Sequence, residues 1–217
     1  TTDDTTALQT AINASAGRRL QLGVGTYKVS SNLQLISGTH LEGEGASLTK
    51  IIATTSANVL QASDGLNDVS VNGIYFYGAQ LGTGDANGGA FYLTCSTASA
   101  SNISISNCKF ENFKGGSVIR VAGNGTLTAA PTHSVSNVWI KNNQFLNNYD
   151  QSPTAIGTAS EAISVQYGVS DFVIADNAID ANYNKQGIKI FTGTNRGSVY
   201  GNAIKNCGMG NAGSVGA

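Results

Sequence analysis

Residues 138–148 read VWIKNNQFLNN, and the chain writes the same phrase as VSVNGIYFYGA from Val69, ISISNCKFENF from Ile103, FVIADNAIDAN from Phe172 and GSVYGNAIKNC from Gly197. The successive starts are 34, 35, 34 and 25 residues apart. A period of roughly 20 to 50 residues marks stacked supersecondary units, none of which can bury its apolar face alone. In VWIKNNQFLNN the apolar Val138, Ile140 and Phe145 fall on one side and Lys141 and Gln144 on the other. That alternation belongs to strands rather than helices. A second strand precedes each phrase: AFYLT from Ala90, VIRVAG from Val118, AISVQYG from Ala162 and GIKIFTG from Gly187.

Short strands at one position per coil pair only with their equivalents in the next coil, which yields parallel sheets with edges at the two ends alone. The fold class is therefore all-β, a parallel β-helix. Asn143, Asn177 and Asn202 fall at one position of successive coils. There Asn tolerates left-handed backbone at a sharp turn, and its amide bonds to the amides above and below. The final 25-residue step is the bare coil, and the longer steps carry loops near residues 82–89, 123–136 and 148–161. Loops recurring on one side of a solenoid predict a binding face; edge protection or a trimer contact is the equal alternative.

The amino end breaks the pattern. DDTTALQTAINAS predicts a helix over about residues 4–15, with Asp3 or Asp4 as cap and Leu8, Ala11 and Ile12 on one face. Such a helix covers the first coil and shields its open strand edges. Coils then run from about residue 20 to 217, so residues 1–217 form one domain, which we expect to be a fragment of a longer chain.

Composition narrows the function classes. A net charge of −1 with 12% charged residues offers no clustered basic surface for nucleic acid. No run of apolar residues is long enough to insert in a membrane as a helix. The 27 glycines and 2 prolines indicate many tight turns. Cys95, Cys108 and Cys207 match neither a disulfide framework nor a zinc pattern and act as small apolar fillers. His40 and His133 lack metal-ligand spacing, while Asp68, Asp171 and Asp176 sit at turns and satisfy local backbone amides. We expect no cofactor and no metal.

DDTTALQTAIN, GTYKV and LQLISGTHLEGEG, followed by the Asn-turn coils, resemble the pectate-lyase-like right-handed β-helix superfamily over essentially the whole chain. That superfamily includes phage tailspikes, pectate and other polysaccharide lyases, polygalacturonases and mannuronan epimerases. The polygalacturonase-like Asn-Thr-Asp and Gly-His-Gly, the epimerase Asp-Pro-His and the pectate-lyase Arg-x-Pro-x-x-Arg are all absent. The chain is most similar to a bacteriophage tailspike. The resemblance implies a homotrimer in the virion tail that binds and depolymerises a bacterial surface polysaccharide, capsule or lipopolysaccharide. A secreted polysaccharide lyase or epimerase is the second reading, and a non-enzymatic β-helical adhesin or fibre the third.

The residues supply candidates for that chemistry. Aligning Phe91, Ile119, Ile163 and Ile188 inward places Tyr92, Arg120, Ser164 and Lys189 outward on consecutive coils, with Gln166 and Phe191 beside them. Tyr92, Arg120, Gln166 and Lys189 then offer an aromatic plane, an amide and charge to a sugar chain; a solvated face is the bland alternative. Hydrolysis needs two carboxyl groups flanking the bond. Glu111 and Asp180 occupy equivalent positions two coils apart, their backbones roughly 10 Å apart at ~4.8 Å per coil. Glu161, a turn-edge carboxylate outside the core, and Asp150 in the long loop form the other candidate pair, close to Arg120 and Lys189. In a lyase the basic groups matter more, neutralising a uronate carboxylate while the adjacent proton is removed.

Overall fold

The computed structural model describes residues 2–62, 64–78, 88–126, 128–148, 161–180 and 186–208. After helix α1 (Thr5–Ala14), the first coil comprises β1 (Arg18–Leu22), β2 (Gly25–Val29) and β3 (Leu33–Leu35), and the second β4 (Thr39–Gly43), β5 (Thr49–Ala53) and β6 (Leu60–Ala62). The third holds β7 (Asn67–Asn72), β8 (Tyr75–Tyr77) and β9 (Phe91–Thr94), and the fourth β10 (Ala100–Ser106), β11 (Lys109–Glu111) and β12 (Ile119–Ala122). The fifth holds β13 (Val135–Lys141), β14 (Gln144–Leu146) and β15 (Glu161–Gln166), and the sixth β16 (Val169–Ala175), β17 (Ala178–Asp180) and β18 (Gln186–Ile190). Strands β19 (Asn195–Tyr200) and β20 (Ala203–Ile204) begin a seventh.

Every third strand joins the same parallel sheet. Sheet A stacks β1, β4, β7, β10, β13, β16 and β19; sheet B stacks β2, β5, β8, β11, β14, β17 and β20; sheet C stacks β3, β6, β9, β12, β15 and β18. Val69, Ile103, Val138, Phe172 and Gly197 are register partners, as the repeated phrase predicts. This is the parallel β-helix. Its core is the tube interior, where Phe76, Phe110 and Phe145 stack with ring centres 5.4 and 4.9 Å apart. Cys95 and Cys108 are buried there as free thiols, pushed up by burial to about 11 and about 12 respectively.

The paired asparagines divide the labour that we assigned to one of them. The first of each pair takes the left-handed backbone, at φ 55° in Asn142 and 51° in Asn147. The second is buried and bridges coils. The Asn143 amide donates to Asn177 Oδ1 (3.0 Å) and that of Asn177 to Asn202 Oδ1 (2.9 Å). Asn148 Oδ1 accepts the Phe113 N–H (2.9 Å). A left-handed residue swings the chain through the corner, so the residue after it points into the tube, where its amide must find partners. Asp68, Asp171 and Asp176 also adopt positive φ, but Asp171 engages the Arg196 guanidinium at 2.7 Å rather than a backbone amide.

Helix α1 closes the first coil with Leu8 and Ile12 buried against it. Gln9 stands in for a missing strand, accepting from the Gln34 N–H (2.7 Å) and donating to the Gln34 carbonyl (3.0 Å) on edge strand β3. Asp3 satisfies the Thr5 N–H (3.0 Å), while Asp4 instead accepts the Lys28 N–H on edge strand β2 (2.8 Å). Both aspartates therefore tie the helix to the tube.

The longer segments do not share one corner. Residues 78–90 and 147–160 connect sheet B to sheet C, whereas 123–134 connects sheet C to sheet A. Of the first two, residues 79–87 and 149–160 lie outside the described residues. The third is built around Asn124, whose Oδ1 accepts the N–H groups of Thr132 and His133 (both 2.9 Å). Its Pro131 lies over Gly168, where φ is +87° and a Cβ would stand 2.3 Å from Pro131 Cγ, so the loop seats only on glycine.

Candidate functional site

Sheet C carries a row of outward parity in strict register, Gln34, Gln61, Tyr92, Arg120, Ser164 and Lys189, of which Ser164 is fully buried. Three of the four binding residues expected from the sequence, Tyr92, Arg120 and Lys189, lie in this row. The Arg120 guanidinium sits on the Tyr92 ring, 5.4 Å from its centre. Half-buried, it has no ion pair or hydrogen bond among the described residues, and its Nε is wholly covered. Lys189 Nζ lies 5.0 Å from the Phe191 ring centre and 3.0 Å from Glu161 Oε1.

Glu161 departs from expectation. Its side chain is only 3% exposed, and Oε2 accepts from Ser117 Oγ at 2.6 Å. It stands two residues before the inward Ile163, so strand parity turns it toward the tube rather than over the face. Lys189 reaches back to neutralise it. Gln166 departs too: it has the parity of Ser164, and both are buried, as is all of β15, with the Gln166 amide donating to Ser164 Oγ. Asp150 lies outside the described residues.

Glu111 and Asp180 occupy one outward row of sheet B, with Leu146 between them. They belong to a different face from the sheet C row, and the two groups of candidates do not converge. Asp180 accepts from the Asn206 amide (2.8 Å). Glu111 accepts from the Tyr75 hydroxyl (2.6 Å) and pairs with Lys109 (2.7 Å). Burial pushes its carboxyl up, but the hydrogen bonds from Lys109 and Tyr75 outweigh that and hold it below the usual range. Burial, then the bond to Glu111, raises the Tyr75 hydroxyl.

Around Glu111 stands a cluster that the sequence reading missed. Lys50 Nζ lies 4.4 Å from the Tyr75 ring centre and 4.3 Å from that of Tyr77, and Lys109 Nζ lies 4.3 Å from Tyr75. The signal was present: YFY at 75–77 alternates about the inward Phe76 as KFE at 109–111 does about Phe110. Cations from the coils on either side occupy the ring of Tyr75, so its faces are not free for a sugar.

A third feature lies on sheet A. Six of its seven corners to sheet B use two residues, but Glu44–Leu48 between β4 and β5 uses five. An open polar cleft of about 760 Å³ lies beside this corner, lined by Arg19, Glu42, Glu44, Asn72 and Asn107 among others. Arg19 and Glu42 pair across it at 3.0 Å, so Glu44 leaves it net negative. Among the described residues no three His, Cys, Asp or Glu side chains converge on a metal position.

Among the described residues, sheet C is thus the face that sets a guanidinium without an ion pair on an aromatic ring. Solved structures share its architecture. The pre-mature bacteriophage phi29 gene product 12 superimposes with a TM-score of 0.69 at 20% identity, covering 95% of this chain and 28% of that one. The A-module of Azotobacter vinelandii mannuronan C-5 epimerase AlgE4 gives 0.55 at 16% identity, over 94% and 64%. Geobacillus virus E2 ORF18 gives 0.50 at 22% identity, over 95% and 39%. No curated protein matches the chain by sequence. The family model described as rhamnogalacturonase A/epimerase, pectate lyase-like, matches residues 1–212, and the chain belongs to that family.

Proposed function

We propose that this chain is the β-helical part of a homotrimeric phage tailspike that binds an acidic bacterial surface polysaccharide along sheet C and depolymerises it. The observation that carries this reading is Arg120. A half-buried guanidinium with no counter-ion among the described residues costs free energy unless an anion is supplied, and a ligand can supply it. It is held on the Tyr92 ring, in a row that also presents Lys189. Family membership supports carbohydrate chemistry, and the likeness to phage proteins supports a virion setting.

Among the described residues, no pair of exposed carboxylates faces this row, because Glu161 is buried beneath Lys189. Elimination suits the row better than two-carboxylate hydrolysis. Arg120 and Lys189 would neutralise a uronate carboxylate and so acidify the neighbouring C–H; a base, for which the Tyr92 hydroxyl is the row's candidate, would take that proton as the C–O bond breaks, and water would protonate the departing glycosidic oxygen. Glu161 then serves as a positioning residue, fixing the Lys189 ammonium. Its burial equally favours a second reading, in which the domain binds the polysaccharide without cutting it. Incubation with acidic capsule separates the two: ultraviolet absorbance from unsaturated uronate marks elimination, and intact glycan retained by the protein marks binding alone. Loss of neither binding nor cleavage in Arg120→Gln would overturn the assignment of sheet C.

A further inference from the structure

Sheet A carries an outward row of its own, one residue per coil: Arg19, His40, Ser70, Ser104 and Trp139. Within it, three side chains make a chain of contacts. Asp68 and Ser70 flank the inward Val69 on β7, so both stand on the outer side of the sheet. His40, from the coil before, spans the two. Its Nδ1 lies 3.0 Å from Ser70 Oγ, and its Nε2 lies 3.6 Å from Asp68 Oδ2. The tautomer with its proton on Nε2 serves both contacts: the N–H faces the carboxylate, and the Nδ1 lone pair accepts the Ser70 hydroxyl. The order is hydroxyl, imidazole, carboxylate, and either ring nitrogen can act as the base.

We infer that Ser70, His40 and Asp68 form an esterase site for short acyl groups, on a different face from the sheet C row. Ser70 Oγ attacks the ester carbonyl carbon while His40 Nδ1 takes the hydroxyl proton. The bond from that carbon to the alcohol oxygen then breaks, and the alcohol leaves with the proton. Water, deprotonated by the same nitrogen, attacks the acyl group on Ser70; the carboxylic acid departs and the proton returns to Ser70. Water is the only co-reactant. The Ser104 hydroxyl, the register partner of Ser70 in the next coil, is placed to donate to the carbonyl oxygen as it gains charge. Asp68 acts through His40 as a positioning residue. The side chains of His40 and Asp68 are 31% and 69% exposed, so a long acyl chain would stay in water and gain nothing; an acetyl-sized group fits the site. The half-buried Trp139, two coils past Ser70 and roughly 10 Å from it at ~4.8 Å per coil, offers its ring to the alcohol part.

Two measurements on the full chain test this. Treatment with a fluorophosphonate, followed by peptide mapping in the mass spectrometer, should place one phosphonyl group on Ser70. The chain should also hydrolyse 4-nitrophenyl acetate faster than 4-nitrophenyl octanoate. Ser70→Ala and His40→Ala should each lower kcat about a hundredfold or more, with circular dichroism unchanged because neither residue is in the core. Asp68→Asn should lower kcat about tenfold and leave KM unchanged, a modest loss because solvent screens an exposed carboxylate. No phosphonyl group on Ser70, or acetate hydrolysis at the parent rate in Ser70→Ala, would overturn the site. Octanoate cleaved faster than acetate would overturn the choice of acyl group.

Discussion

Replacing Asn143 by Ala tests the division of labour at the corners. Its amide donates to the Ile105 carbonyl (3.0 Å) and to Asn177 Oδ1 (3.0 Å), and its Oδ1 accepts the Cys108 N–H (3.0 Å), all inside the tube. Alanine orphans the Cys108 N–H; the Ile105 carbonyl keeps its place in the β10–β13 ladder, and Asn177 Oδ1 keeps the Asn143 backbone N–H. At about 1–3 kcal/mol for the unsatisfied N–H and about 1 kcal/mol for the lost amide bonds, the loss is about 3 kcal/mol. Asn142→Ala, one residue earlier, removes no coil-bridging bond but places a Cβ-bearing residue without a local polar side chain at φ 55°. That costs about 1–2 kcal/mol. Urea titration followed by circular dichroism should show a larger drop in midpoint for Asn143→Ala, with Asn142→Gly near the parent. A loss in Asn142→Ala equal to or greater than that in Asn143→Ala would refute the assignment of roles.

Further outcomes follow from single sites. Gly197→Ala places a Cβ 1.9 Å from Phe172 Cζ and should destabilise by about 1–3 kcal/mol, read as a lower melting temperature; an unchanged melt would mean that the ring has room to move. Hydrogen bonds from Ser30 and then Thr5 lower Asp3 from 3.8 to about 2. Its contribution to anchoring α1 is therefore present above about pH 4 and lost as the pH falls through about 2. Amide exchange in α1 should accelerate over that interval in the parent and not in Asp3→Asn. Glu161→Ala strands Lys189 beside a buried cavity and should cost about 1–3 kcal/mol, since one partner remains partly solvated. Glu161→Gln should fold normally yet bind acidic glycan differently, because only the neutralisation of Lys189 changes. A trimer should appear by mass measurement across a dilution series.

The architecture was legible because period-two alternation and a recurrent phrase constrain every coil at once. The alignment of Phe91 with Ile119, Ile163 and Ile188 matches the register of sheet C, since one inward residue per strand fixes the parity of its neighbours, but Ser164, expected outward, is buried. Contacts that depend on side-chain conformation were not legible. Glu161 lies at a strand start, where a turn and a parity rule compete, and parity wins. Gln166 has outward parity but folds onto Ser164, which no pattern of residue types encodes. The two asparagines of each pair look alike in sequence, and only the backbone distinguishes the left-handed residue from the buried one. The Tyr75 cluster was missed for a different reason: attention to carboxylates picked out Glu111 and passed over the lysines in register beside it.

The central claim is that an acidic glycan lies on sheet C rather than sheet B. It is tested most directly by titrating an acidic capsular polysaccharide into the parent, into Arg120→Gln and into the sheet B double variant Lys50→Gln/Lys109→Gln. The account predicts about tenfold weaker binding in Arg120→Gln and no change in the sheet B variant, whose lysines are already engaged by Tyr75, Tyr77 and Glu111. Binding lost in the sheet B variant and kept in Arg120→Gln would contradict it.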